Sequence, residues 1–237
     1  MTTYSRVFLL AFLIIWCGML LDPHQILQAE SAGETDGEKI VFQWAFCAQH
    51  KADAGQQPIV ITRDTTLKSG DQIKFFVKLE PSVYLYLIYR SSQGDISVLF
   101  PYRFEQLDDP SSLSGKHYIP RGDRWLELDD HTGEEKYYLL AAADRLLDLE
   151  ALINQYESAD KAKKSGLSGK ITTEIRNLRK RHLKFKTYAE KPVTIIGNLR
   201  GTEKSSTPST RDIADFAVEI STTTFFSRTY TIDHQQE

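Results

Sequence analysis

Alternation of apolar and polar side chains is the dominant pattern along this chain, and in one region it gives way to a helical period. Ile73, Phe75, Val77 and Leu79 share one face of residues 72–79, and Gln72, Lys74, Phe76 and Lys78 share the other. That is the signature of a half-buried antiparallel strand. Val83, Leu85, Leu87 and Tyr89 alternate with Tyr84, Tyr86 and Ile88 in the next stretch. Ser91-Ser92-Gln93-Gly94-Asp95 then reverses the chain, and Ile96–Phe100 returns as the second arm of a hairpin that Pro101 stops. Upstream, Phe42, Trp44 and Phe46 fall on one face of Lys39–Ala48, with Val41, Ala45 and Cys47 on the other, so both faces are expected to be covered. Pro58–Thr62 is a short β-prone piece. Lys68-Ser69-Gly70-Asp71 reads as a tight turn, with glycine for a positive φ and Asp71 tying its carboxylate to nearby amides.

The same grammar continues with Tyr118-Ile119-Pro120, then Trp125, Leu126 and Leu128, an Asp129–Gly133 turn, and a return strand over Lys136–Ala142. At Asp144 the period changes. Asp144 is placed to cap a helix carrying Leu146, Leu149, Leu152 or Ile153, and Tyr156 on one side. Asp160–Gly169 reads as a Lys/Ser/Gly-rich connector. Ile171–Lys184 fits a second helix with Ile171, Ile175, Leu178 and His182 or Leu183 inward. Val193–Ile196 is a short β-piece, and Gly201–Thr210 an exposed loop. Phe216, Val218 and Ile220 alternate, as do Phe226, Tyr230 and Ile232, which suggests a closing hairpin across Ser221–Thr224. Short strands punctuated by turns roughly every 8–12 residues predict a sandwich or barrel. The expected fold is therefore mainly β: an antiparallel β-sandwich-like or partly open barrel domain over residues 39–233, with two inserted or appended helices in 144–186 and closing strands in 193–233. Phe75, Val77, Leu85, Leu87, Leu99, Trp125 and Leu139 are the expected core.

The N-terminus reads differently. Arg6 precedes an uncharged run, Val7–Leu21, that is short for a membrane span and suits a secretory signal. Leu27-Gln28-Ala29 offers a cleavage tripeptide, so residues 1–29 are expected to be a signal peptide and 30–38 a loose polar leader. An uncleaved anchor is the alternative. Trp16 before Cys17 does not suit a lipid-attachment site. Periplasmic or secreted location follows, and Cys47 would then be the single cysteine of the mature chain, without a disulfide partner.

Formal charge is −3 over 237 residues, too little to single out a partner. Its distribution is uneven. Between Lys161 and Lys191 eleven Lys or Arg residues face only Glu174 and Glu190. On a helix, Arg176, Arg179, Lys180 and Lys184 lie along one side at three- and four-residue spacing. Such a face can meet anionic lipid or polysaccharide; export argues against nucleic acid. It is equally the ordinary solvated side of a surface helix.

Catalytic constellations are weak. Asp129, Asp130, Glu134 and Glu135 surround a glycine turn, and carboxylates suit calcium, but the ligand alternation of a dedicated loop is missing. Asp71 and Asp123 are acids in glycine turns, where turn-holding is the simpler role. Cys47 and His50 are close in sequence, yet Cys47 sits in a strand that reads as buried. Gly166-Leu167-Ser168-Gly169 lacks the glycine spacing and leading strand of a nucleophile elbow. No zinc-type or phosphate-loop motif occurs, and no cofactor is expected.

Leu67-Lys-Ser-Gly-Asp71 with the strand Ile73–Lys78, then Val83-Tyr-Leu-Tyr-Leu-Ile-Tyr89, a Gln-Gly turn and Val98-Leu99-Phe100-Pro101, resembles the bacterial DUF4384 domain. Tyr118-Ile119-Pro120 and Gly133-Glu134-Glu135 leading into Tyr138-Leu139-Leu140-Ala141 extend the resemblance, which covers roughly residues 60–145. Tyr102 departs from the asparagine-like residue usual after the Phe-Pro. The resemblance implies a β-rich module of exported bacterial proteins, sometimes fused to peptidase-like or kinase-like domains, and supplies no catalytic residue. The functional expectation is a non-catalytic interaction or envelope-associated module that pairs with another envelope protein, for instance along a sheet edge. The alternative is a hydrolase, or a regulatory subunit of a peptidase-like or kinase-like system.

Overall fold

The structure is a computed structural model that describes residues 39–50, 57–182, 188–193 and 212–236. The expected signal 1–29, leader 30–38 and loop 201–210, together with Lys184, lie outside the described residues. Among the described residues the chain runs β1 (Ile40–Gln49), β2 (Ile59–Val60), β3 (Thr65–Lys68), β4 (Gln72–Leu79), β5 (Tyr84–Arg90), β6 (Ile96–Phe100), β7 (Gly115–Ile119), β8 (Leu126–Glu127), β9 (Gly133–Ala142), α1 (Leu147–Ser158), α2 (Lys161–His182), β10 (Tyr188–Pro192), β11 (Val218–Thr222) and β12 (Phe225–Gln235).

Two sheets share these strands. The larger has the order β10-β11-β1-β4-β7, with β2 beside β1 and β8 beside β4; the smaller runs β3-β12-β9-β5-β6. Pairing is antiparallel throughout except between β3 and β12, which run parallel from Ile232↔Thr65 to Gln235↔Lys68. The fold is thus a β-sandwich-like arrangement with two helices between β9 and β10. Alternation explains it directly: Phe42, Trp44 and Phe46 of the larger sheet meet Phe226, Tyr230 and Tyr137 of the smaller. Phe46 and Phe75 stack at 4.3 Å between ring centroids, and Trp44 Nε1 donates to Tyr230 Oη at 2.8 Å, so the one polar group of that indole is paired in the core.

The outer faces are covered as well. Ala45, Cys47 and Phe76 pack against Ile213 and Ala217 in a second, smaller cluster, and burial there pushes the Cys47 thiol up to about 12. On the other side, Leu149, Ile153 and Tyr156 of α1 and Ile171, Ile175 and Leu178 of α2 are buried and belong to the main core. Tyr86 ties α1 down, donating to Glu150 Oε1 at 2.6 Å while its oxygen accepts from Leu146 N at 3.0 Å. Arg145 closes this cluster by ion pairs to Glu150 and Asp108.

Several expectations need correction. Asp144 does not cap α1, which starts at Leu147 without a side-chain cap; the Tyr86 hydroxyl accepts from an amide at that helix start instead. Residues 161–169 are the first turns of α2, not a connector. The helix tolerates its glycines there because Ser168 is buried and its hydroxyl donates to Gly94 O, fastening the segment to the β5–β6 turn. Residues 218–235 form no hairpin: β11 pairs with β1 and β12 with β9, so Ser221–Thr224 includes a crossing between sheets. Likewise β8 pairs with β4 rather than β9. Of the β-piece expected at 193–196, residues 194–196 lie outside the described residues; a strand is described just before it, at Tyr188–Pro192. Of the expected core, Phe75, Val77, Leu85, Leu87 and Leu139 are buried, and Leu99 packs against the core partly buried. Trp125 is half-buried on the outer face, 5.7 Å from Lys74 Nζ.

Two glycines carry the turns. Gly70 has φ 86° in the Ser69–Asp71 turn, as anticipated, and Asp71 accepts from Lys68 N at 2.9 Å. Gly133 opens β9 at φ 126°, where an added Cβ would come within 2.9 Å of Ser92 Cβ.

Candidate functional site

The C-terminal half of α2 lies over the start of β12, and β10 approaches from the larger sheet. β3 pairs only with the end of β12, so β12 has no strand beside Phe225–Tyr230 on that flank among the described residues. A cavity of about 240 Å³ opens there, lined by Arg176, Arg179, Lys180 and His182 of α2, Tyr188 of β10, Thr222 of β11, and Phe225, Phe226 and Ser227 of β12. Three of the four basic residues singled out from the sequence, Arg176, Arg179 and Lys180, therefore share one cavity.

Aromatic rings make its floor. His182 stacks on Phe225 at 4.6 Å and 25°, and Tyr188 meets Phe226 edge-on at 5.4 Å. β10 is held in place by Glu190, which accepts two hydrogen bonds from Arg228 at 3.1 and 2.7 Å. Arg228 holds the Glu190 carboxyl below its ordinary value. Burial, and then the neighbouring Arg181 charge, hold the His182 imidazole below its ordinary value. Arg179 donates to Thr229 Oγ1 at 3.3 Å. Among the described residues neither Arg176 nor Lys180 has an acidic partner, whereas Arg181, on the other side, is neutralised by Glu174 at 2.7 Å. The Ser227 hydroxyl is buried without a hydrogen-bond partner. Arg176 also borders a second cavity of about 480 Å³ with Arg90, Lys161 and Lys164, so the cationic surface continues along α2.

A different polar cluster was not visible in the sequence. Ser69 Oγ lies 3.1 Å from His234 Nε2, and His234 Nδ1 lies 3.1 Å from Glu135 Oε1. The other Glu135 oxygen accepts from Tyr137 Oη at 3.3 Å. Serine, histidine and carboxylate in that order match the geometry of a nucleophilic triad. The surroundings do not match. His234 is 1% exposed, Glu135 3% and Ser69 8%. Of the turn amides an oxyanion would need, Ser69 N already donates to Gln235 O, Gly70 N to Leu128 O and Asp71 N to Lys68 O. The cluster fastens the end of β12 to the turn before β4.

Residues 66–145 match DUF4384, a domain of unknown function. The DUF4384 match takes in nearly all of β3, all of β4 to β9, and the chain up to the start of α1. Ser69, Asp71 and Glu135 fall inside it, and His234 falls outside. Every residue lining the basic cavity is outside the DUF4384 match. No curated protein and no solved structure matches the chain.

The remaining candidates are dispersed. Glu135 faces His234, Glu134 pairs with Lys136 at 2.7 Å and Asp129 binds His131. Among the described residues no three His, Cys, Asp or Glu side chains converge on a metal position. Cys47 is buried, and His50 pairs with Asp71 at 2.9 Å rather than with the thiol.

Proposed function

We propose that this chain is a non-catalytic, exported interaction module that engages an anionic envelope component through the basic face of α2. One observation carries the reading: Arg176, Arg179 and Lys180 gather on a single aromatic-floored cavity, and two of these cations have no counter-charge among the described residues. All three are exposed, so an anion can reach them. Export is supported by Arg6, the uncharged run Val7–Leu21 and the tripeptide ending at Ala29; the DUF4384 resemblance supports a bacterial periplasmic setting. Anionic lipid and anionic polysaccharide present the same chemistry. Binding of the purified protein to phosphatidylglycerol vesicles and to polygalacturonate separates them. Binding to one of the two is expected at low salt and weakens as salt rises. The triple variant Arg176→Glu, Arg179→Glu, Lys180→Glu is expected to lose it while keeping its fold. Wild-type protein without salt-sensitive binding to either would return this face to ordinary solvated surface. Sequencing of the mature N-terminus checks export, with Glu30 expected first.

The hydrolase reading has one geometric observation in its favour, the Ser69–His234–Glu135 order. Committed amides and burial oppose it. A fluorophosphonate reagent is expected to leave Ser69 unlabelled; stoichiometric labelling of Ser69 would revive the enzyme.

A further inference from the structure

We infer that the cavity between α2, β10 and the start of β12 binds a small organic anion with a flat aromatic body, its acid group set against Arg176, Arg179 and Lys180 and its ring against Phe225 and Tyr188. This rests on the anion-recognising reading above and narrows it to a ligand class. The wall chemistry is mixed. Cations at positions i, i+3 and i+4 of α2 line the cavity together with the rings of His182 on the same helix and of Tyr188 and Phe225 on the strands. A bare inorganic anion would leave the exposed ring of Tyr188 and the half-buried ring of Phe225 uncovered, and a neutral ring would leave the cations unpaired. An aromatic acid satisfies both, since rings attract rings through offset or edge-on contact and arginine pairs with acid oxygens in two-pronged fashion.

Size points the same way. At about 30 Å³ for each water-sized unit, a cavity of about 240 Å³ has room for a fused two-ring acid. The helix end works against an anion, because the last-turn carbonyls carry partial negative charge. Three cations outweigh that half-charge. Ser227 adds an independent sign. Its hydroxyl is the buried side-chain polar atom without a partner among the described residues, and it belongs to this wall. Such groups are rare in native interiors and call for a reason; a ligand oxygen brought to the wall provides one.

The test uses the purified full chain and 1-naphthoate as the ligand, followed by titration calorimetry, with neutral 1-naphthalenemethanol and acetate as controls. Saturable binding of 1-naphthoate is expected, at least ten-fold tighter than either control. Arg179→Gln with Lys180→Gln is expected to weaken it ten-fold or more, and Phe225→Leu, which keeps bulk but removes the ring, several-fold. Thermal melting of each variant confirms that it folds. Vesicle and polygalacturonate binding are measured on the same samples. Phe225→Leu should spare those while weakening 1-naphthoate, which separates the pocket from the charged face. The inference is overturned if 1-naphthoate fails to bind wild type, if the neutral alcohol binds as well, or if the Arg179/Lys180 variant binds as wild type does. Salt-sensitive vesicle binding without 1-naphthoate binding would overturn the pocket and leave the charged face standing.

Discussion

Ser69, His234 and Glu135 are closed off from water and bonded to one another, whereas Arg176 and Lys180, across the smaller sheet, are exposed and share a ring-lined cavity with no acid beside them among the described residues. The first cluster looks like chemistry and behaves as architecture. Both ring nitrogens of His234 are used, both Glu135 oxygens accept, and the neighbouring amides are taken. The second has no assembled triad, yet it leaves the Ser227 hydroxyl unbonded beside exposed cations. Satisfied polar groups in a core hold a fold; a buried hydroxyl without a partner calls for a reason.

The contrast can be broken most decisively at His234. His234→Ala leaves the Glu135 carboxylate and the Ser69 hydroxyl buried without their partner, and should cost about 3–5 kcal/mol, measured by urea denaturation. A cost below about 1 kcal/mol, the level of an exposed pair, would show that the cluster does not hold the fold. Tyr86→Phe comes next. It removes a hydroxyl that both donates to buried Glu150 and accepts from Leu146 N, and about 1–3 kcal/mol should be lost in the same assay. Arg145 keeps Glu150 from standing alone, which is why the loss is smaller.

Acid titration tests the border between the two regions. Arg228 depresses the Glu190 carboxyl below its ordinary 4.5, with burial opposing. A carboxyl whose pKa is lower folded than unfolded contributes above the unfolded value and loses that contribution as pH falls through the folded value. Stability curves of wild type and Glu190→Gln should therefore differ above about pH 4.5 and converge below it. The gap should stay below about 1 kcal/mol because both side chains remain partly exposed. Curves that stay parallel into acid would remove the pair from the account of how β10 is held. Smallest of all is the effect of Arg176→Gln with Lys180→Gln. Without ion pairs to lose, its stability should stay within about 0.5 kcal/mol of wild type. A larger drop would mean that these cations serve the fold after all.

Much of this was legible from alternation. The strands near 72–79, 84–90, 96–100 and 136–142 declare themselves because one face is apolar, and Arg176, Arg179 and Lys180 declare themselves by helical spacing. Sheet membership does not show. Alternation says which way a side chain points but not which strand lies beside it, so the expected pairing of the two last strands failed. The Gly- and Ser-containing stretch 161–169 has the propensity of a connector, and tertiary contact through Ser168 overrides it. The Ser69–His234 pair spans 165 positions, beyond any local pattern. A signal was nonetheless present: Glu135 occupies the inward parity of Tyr137 and Leu139, and His234 that of Tyr230 and Ile232. A charged or polar residue in phase with an apolar face implies a buried partner. Phe225 and Tyr188 reach the cavity from strands far apart in sequence, and nothing local links them to α2.

The placement of β12 has a consequence for how the molecule is made. It lies second in the smaller sheet, between β3 and β9, although it is synthesised after everything it joins. While the chain is still emerging, β9, β5 and β6 can associate, but β3 has no neighbour in its sheet. The rings of Phe42, Trp44 and Phe46 meanwhile wait for Phe226 and Tyr230. Nascent chains of this topology should fold late and slowly, since the decisive contacts are the most distant in sequence. Their hazard is greatest before completion, when an uncovered aromatic layer can meet the same layer on a neighbouring chain.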